Sequence, residues 1–228
     1  MADRPASARL RVAVLVSGRG SNLQALIDAR QAGLPIDLVG VFSDRGQALA
    51  LKRACKAGIA AMCLRVAEFS DEANYQRALF ATVAASRPEL IVCAGFMRII
   101  GEAALASSAP MINIHPSLLP KYRGLDTHRR ALEAGDLMHG ASVHRVTREL
   151  DGGPLIAQVR MRIERGDDAI SLARRLLPLE HRLLVACVGA IAAGELGFAG
   201  QCGVLYRGSA LQRPLQLDAT GDDALHPD

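Results

Sequence analysis

The chain has 228 residues, half of them hydrophobic and 22% charged, with a net charge of +4 and a pI near 9.0. That length suits one domain with a full core, and the composition excludes a disordered or fibrous protein. The basic residues are spread along the chain and only 4% of residues are aromatic; this pattern argues against nucleic acid and for small anionic ligands.

Residues 1–10 read as a polar N-terminal tail. Apolar runs then alternate with segments of helical period. Strands are expected near 11–17, 36–43, 60–64, 90–94 and 111–115, with helices near 21–32, 47–57, 71–86 and 102–107 between them. Gly33 and Gly58 serve as helix stops and Ser70 as an N-cap. After 115 come a Pro-bounded loop, a short helix from Thr127 to Gly135, and two apolar runs at 139–147 and 154–163. The turn Asp151-Gly152-Gly153-Pro154 separates those runs and predicts an antiparallel pair. A last helix covers 168–194, with Pro178 predicting a kink or break. The expected fold is α/β: a doubly wound, mostly parallel sheet with an antiparallel C-terminal strand pair, over a domain of 11–194. Residues 195–228 are expected to be a partly disordered extension, with a polar tail from about 214.

Cys55, Cys63, Cys93, Cys187 and Cys202 are odd in number and never spaced as C-x-x-C, so free thiols in a reducing compartment are expected, with no disulfide framework and no metal site. The apolar run 12–16 is too short for a signal-peptide core, and 183–193 falls short of the roughly 18–20 residues that span a bilayer. A cytoplasmic protein without a membrane segment is expected.

Four features carry chemistry. Residues 17–22 (S-G-R-G-S-N) follow a strand and open a helix, so their N–H groups either converge on an anion or form a ligand-free tight turn. Leu23 stands where a dinucleotide fingerprint would have its third glycine. Asn113 and His115 lie two apart at a strand end and so face one side; an amide donor beside an imidazole suits attack on a carbonyl-like carbon. The alternative is a His that is only hydrogen-bonded in its loop. Asp151 either initiates its turn or reaches across the sheet end to orient His115 and favour its protonated form. Residues 94–100 (A-G-F-M-R-I-I) form either a pocket for a flat heterocycle or core packing at a helix start. His144 reads as structural, or as a support to the site.

Together, S-G-R-G-S-N-L-Q, A-G-F-M-R-I, N-I-H-P-S-L-L-P-K-Y, T-H-R-R-A-L-E-A-G and E-L-D-G-G-P, in this order over 11–194, resemble the phosphoribosylglycinamide formyltransferase family of folate-dependent enzymes. The resemblance implies 10-formyltetrahydrofolate as co-substrate, glycinamide ribonucleotide as acceptor, a role in purine synthesis, and no metal. It assigns catalysis to Asn113, His115 and Asp151, and the substrate phosphate to Gly20, Ser21 and Asn22. It gives the substrate amine end to Glu180, and the folate to Met97, Arg98, Ile99, Ile100 and Asn113. A basic folate contact common in the family falls on Asp71 and Glu72 here. The partners implied are these small molecules, with neither nucleic acid nor membrane, for a monomer or homodimer. Formyltetrahydrofolate hydrolases and methionyl-tRNA formyltransferases share the N-I-H-P-S-L-L-P loop but carry an extra domain. A rival of another class is a non-catalytic sugar-phosphate-binding module.

Overall fold

Period-two burial organises the centre of the molecule. In the computed structural model, which describes residues 9–200 and 203–227, β1 (Leu10–Val16) sends Val12, Val14 and Val16 into one apolar layer and Ala13 and Leu15 into the other. A strand apolar on both faces needs cover on both sides, the condition of a parallel sheet between helices. Helices α1 (Ser21–Gln31), α2 (Leu49–Lys56) and α6 (Ala169–Ala192) cover the first face. The second is covered by α3 (Glu72–Ala85) and α4 (Glu102–Ser107).

Strands β2 (Ile36–Ser43), β3 (Ala61–Cys63), β4 (Leu90–Cys93) and β5 (Met111–His115) all run parallel to β1. After a short helix α5 (Thr127–Glu133), β6 (Met138–Arg145) and β7 (Leu155–Arg162) add an antiparallel pair beside β5. Across the sheet the first five strands stand in the order 3-2-1-4-5, so the chain reverses direction of growth between β1 and β4. Loops leaving the carboxyl ends of these two strands diverge there and open a crevice, the usual ligand position in such sheets. Its floor is tied by the Ser17 N–H donating to the Gly95 carbonyl at 3.0 Å and the Met97 N–H donating to Ser17 Oγ at 3.0 Å. The expected doubly wound α/β sheet with an antiparallel pair is the observed one.

Four details differ from the sequence reading. Asp71, not Ser70, caps α3: its carboxylate accepts from the Asn74 N–H at 2.7 Å, while the Ser70 hydroxyl donates to that carboxylate and accepts from the Asn74 side chain. An ionised cap has the stronger hold on free N–H groups. Pro178 does not break α6, which is assigned continuously and is anchored at its start by a reciprocal cap between Asp168 and Ser171; nine buried side chains along it outweigh the loss of one backbone donor. The β6–β7 connection spans residues 146–154, longer than the four-residue turn, because β6 ends at Arg145 and Val146 bonds to the Met111 carbonyl instead of to β7; Gly153 passes so close to the Arg145 carbonyl that a Cβ would lie 1.9 Å from it.

The fourth difference lies beyond 194. Here β8 (Leu196–Ala199), β9 (Gly203–Tyr206) and β10 (Ser209–Ala210) make a small antiparallel sheet, while β11 (Leu215–Leu217) pairs in parallel with β7 and β12 (Leu225–His226) completes the edge. Leu215 and Leu217 are buried in the main core, so this part of the expected tail is part of the sheet. Of the expected N-terminal tail at 1–10, residues 1–8 lie outside the described residues, as does Cys202, whereas Leu10 opens β1 and is buried in the core. Among the described residues no helix is long and apolar enough to cross a membrane.

Candidate active site

Cross-strand register assembles the polar centre. In the β5–β6 pairing Asn113 lies opposite His144, and Asn113 Nδ2 meets His144 Nε2 at 3.1 Å. His144 Nδ1 faces the Arg145 carbonyl at 2.9 Å, so in neutral His144 that nitrogen carries the proton and Nε2 accepts from the amide. One Asn113 hydrogen is therefore committed to His144. The other points towards Asp151 Oδ1 at 3.4 Å, a contact long enough to be redirected.

Asp151 adopts φ 46° at the head of its turn and brings a nearly buried carboxylate into the centre. Oδ2 accepts from the Gly124 N–H at 2.9 Å and stands 3.4 Å from His115 Nδ1, while Oδ1 is 3.5 Å from His144 Nε2. Burial pushes this carboxyl upward, but the close approach of His144, the hydrogen bond from the Gly124 N–H and the positive field of His115 outweigh it, and its pKa is lowered. Asp151 stays ionised.

His115 is 7% exposed, with Nε2 against the Tyr122 carbonyl at 2.9 Å. If Nε2–H donates there, a bare Nδ1 would set its lone pair against the Asp151 carboxylate, and protonating Nδ1 relieves that conflict. Burial acts the other way and is the largest influence; the bond to Tyr122 and the charge of Asp151 oppose it without reversing it, so the pKa is lowered from 6.5. The expected upward pull of Asp151 is present, but it is the smaller effect. The loop that supplies Tyr122 is pinned from below, where buried Ser142 donates to the Ser117 carbonyl and accepts from the Leu119 N–H, and Gln158 donates to the Leu119 carbonyl.

An open cleft reaches this centre. Phe96, Ile99, Ile100, Val146 and Leu150 give it apolar walls, and Asn113, His144 and Asp151 close its inner end. Such a lining fits a flat heterocycle with polar edges. Met97 and Ile99 are exposed, Ile100 is buried, and Arg98 forms an ion pair with Glu72 while its guanidinium lies 5.4 Å from the centroid of the Tyr75 ring. Glu72, where the family resemblance expects a basic folate contact, is thus the partner of Arg98.

On the other side of the floor, Gly20 precedes α1 at φ 72°, and a Cβ there would lie 2.6 Å from that of Ala50. Only glycine suits this turn. The Gln24 N–H bonds back to the Gly20 carbonyl, leaving the N–H groups of Ser21, Asn22 and Leu23 at the positive end of α1 without helical partners. Glu180, buried on α6, hydrogen-bonds the Asn22 side chain, and burial raises its pKa to about 7. Asn22 Oδ1 is buried without a partner among the described residues.

The structure thus brings Asn113, His115 and Asp151 into one centre, Met97–Ile100 to one flank, and Gly20–Asn22 with Glu180 to the other. His144 takes a larger part than the sequence reading gave it, and the backbones of Tyr122 and Gly124 were missed. Backbone groups leave no mark on residue identity; His144, opposite Asn113 in an antiparallel pair, left only its position in the apolar run.

A formyl transferase family model matches residues 10–188. The phosphoribosylglycinamide formyltransferase of Escherichia coli strain K12 is 44% identical over 189 residues, covering 82% of this chain and 89% of that protein. A trifunctional purine biosynthetic protein of Drosophila pseudoobscura pseudoobscura is 41% identical over 192 residues, which cover 82% of this chain but only 14% of that longer protein. The solved structure of the phosphoribosylglycinamide formyltransferase of Coxiella burnetii superposes with a TM-score of 0.85 at 45% identity, over 89% of this chain and 96% of that one. The chain belongs to the formyl transferase family.

Proposed function

We propose that this chain transfers the formyl group of 10-formyltetrahydrofolate to the amine of glycinamide ribonucleotide, a step of purine synthesis that releases tetrahydrofolate. The observation that carries this reading is the division of one crevice. Its flank at Gly20 presents helix N–H groups suited to a phosphate, its flank at Ile99–Ile100 presents apolar walls suited to a pterin, and Asn113 stands at the inner end.

In this reading the neutral amine attacks the formyl carbon, and charge develops on the formyl oxygen. The Asn113 hydrogen now aimed loosely at Asp151 turns to that oxygen, while the one on His144 keeps the amide in place. Protonated His115, held between the Tyr122 carbonyl and Asp151, adds a positive charge beside the developing oxyanion, and ionised Asp151 favours that protonated form. The amine loses one proton and the departing folate nitrogen gains one; Asp151, accepting at both oxygens, is suited to hold a water that relays it. The deep position of His115 and Asp151 keeps these interactions out of bulk water, where they would be weaker.

The test is formyl transfer to glycinamide ribonucleotide measured against plain hydrolysis of 10-formyltetrahydrofolate. Transfer should dominate, and Gly20→Val should raise KM for glycinamide ribonucleotide far more than KM for the folate. Hydrolysis alone, or equal changes in both KM values, would refute the assignment.

A further inference from the structure

The loop from Met97 to Gly101 is tied at Met97, whose N–H donates to Ser17 Oγ, and at buried Ile100, and the wall between them lies open. Met97 and Ile99 are 57% and 63% exposed. A binding wall made of such a segment must be ordered either by the ligand, at a cost in affinity, or by the protein beforehand. Here the protein does it from one face of α3.

The carboxamide of Gln76 lies under the loop and spends every polar group on it or beside it. Nε2 donates to the Ile99 carbonyl at 3.0 Å and to Glu72 Oε1 at 3.0 Å, and Oε1 accepts from the Gly101 N–H at 2.7 Å. Glu72, one turn earlier, is thereby steadied where it grips both Nε and Nη2 of Arg98. Tyr75, between them in sequence, lies beneath the guanidinium. Residues 72, 75 and 76 thus share a helix face and hold 98, 99 and 101 together. Gly101 leaves the room this needs, since a Cβ there would lie 2.9 Å from Gln76 Oε1.

We infer that Gln76 is a positioning residue that presets the folate wall and so governs affinity for the folate co-substrate, without taking part in the chemistry. The inference rests on reading Met97–Ile100 as that wall. No hydrogen bond joins Gln76 to Asn113, His115 or Asp151, so its loss acts on binding and leaves the reacting groups as they are. The role needs a donor and an acceptor on a side chain of this length. Glutamate keeps the bond to Gly101 but loses both donors and stands against Glu72; methionine keeps the shape and loses all three bonds.

In the full chain, Gln76→Met and Gln76→Glu should each raise KM for 10-formyltetrahydrofolate, and Kd for tetrahydrofolate, by roughly five- to tenfold, the scale of one or two net hydrogen bonds. The values of kcat and KM for glycinamide ribonucleotide should stay within about twofold of wild type, as expected when only binding of the other substrate is weakened. Amide exchange at 97–101 should quicken in both variants while the melting temperature holds. Gly101→Ala, which crowds the carboxamide, should reproduce part of the effect and add nothing to Gln76→Met. Unchanged tetrahydrofolate affinity in both variants, with 97–101 still protected by tetrahydrofolate in the wild type, would overturn the inference. Absence of that protection in the wild type would overturn the wall reading, and the inference with it.

Discussion

At the scale of single residues the site is a competition over protons. Burial draws His115 down and Asp151 draws it up, so Asp151→Asn should move the imidazole lower still. Both enzymes are protonated at His115 in sufficient acid. The rate deficit of the variant should therefore grow as pH rises from its own His115 pKa to the wild-type one, then level off. His115→Ala should lower kcat by roughly 10²- to 10⁴-fold, the range for a positioned acid or base, and the double variant should fall short of the product of the single effects. A multiplicative double variant with wild-type pH dependence would leave Asp151 as a turn residue. His144→Phe tests the amide: it frees the Asn113 hydrogen now fixed by Nε2, and should forfeit part of the roughly 10²- to 10³-fold that an oxyanion donor is worth. A substrate-binding defect without loss of kcat would count against that role. Asn113 and His115 were legible beforehand because their spacing at a strand end fixes their direction. Asp151 was nominated by resemblance and by its turn, since separation along the chain says nothing about distance across a sheet end.

Among elements, the first 115 residues were legible because each strand and helix is marked locally, by apolar period and by glycine stops such as Gly33 at φ 104° and Gly58 at φ 68°. What misled was composition standing in for contact. The segment after 214 is polar and acidic and reads as a tail, yet Arg182 on α6 binds it with its whole guanidinium. Nη1 donates to the Ala219 carbonyl, Nη2 to those of Asp218, Gly221 and Asp222, and Nε to the Asp223 carboxylate at 2.6 Å. Two buried leucines, their ladder with β7 and one arginine hold it, and none of these leaves a periodic signal in the sequence. Arg182→Ala should leave transfer activity intact while amide exchange at 215–226 rises; unchanged protection would mean that Leu215 and Leu217 hold the segment alone.

For the molecule as a whole, four buried or half-buried histidines share one direction. His115, His128, His139 and His181 are all lowered by burial, His139 to about 4, and His128 Nδ1 sits 3.0 Å from His139 Nε2. The unfolded chain binds these protons near pH 6.5, before the folded one does, so stability should be full above 6.5 and fall as pH drops towards 4. Glu180, raised to about 7, has the opposite sign, its contribution being lost as pH rises from 4.5 through 7. Melting temperatures across this range should decline on the acid side, and His139→Asn should flatten the decline; an equally steep slope in the variant would exclude His139 as its source. The edge formed by β11 and β12 has a consequence for the nascent chain. A strand with open N–H and C=O groups is a template for pairing with another copy, and β7 keeps that edge bare until residues 215–217 have left the ribosome. Until then that edge is where another copy could pair, and the short Leu-Gln-Leu strand, itself paired with β12, covers the middle of it at Ala157–Val159.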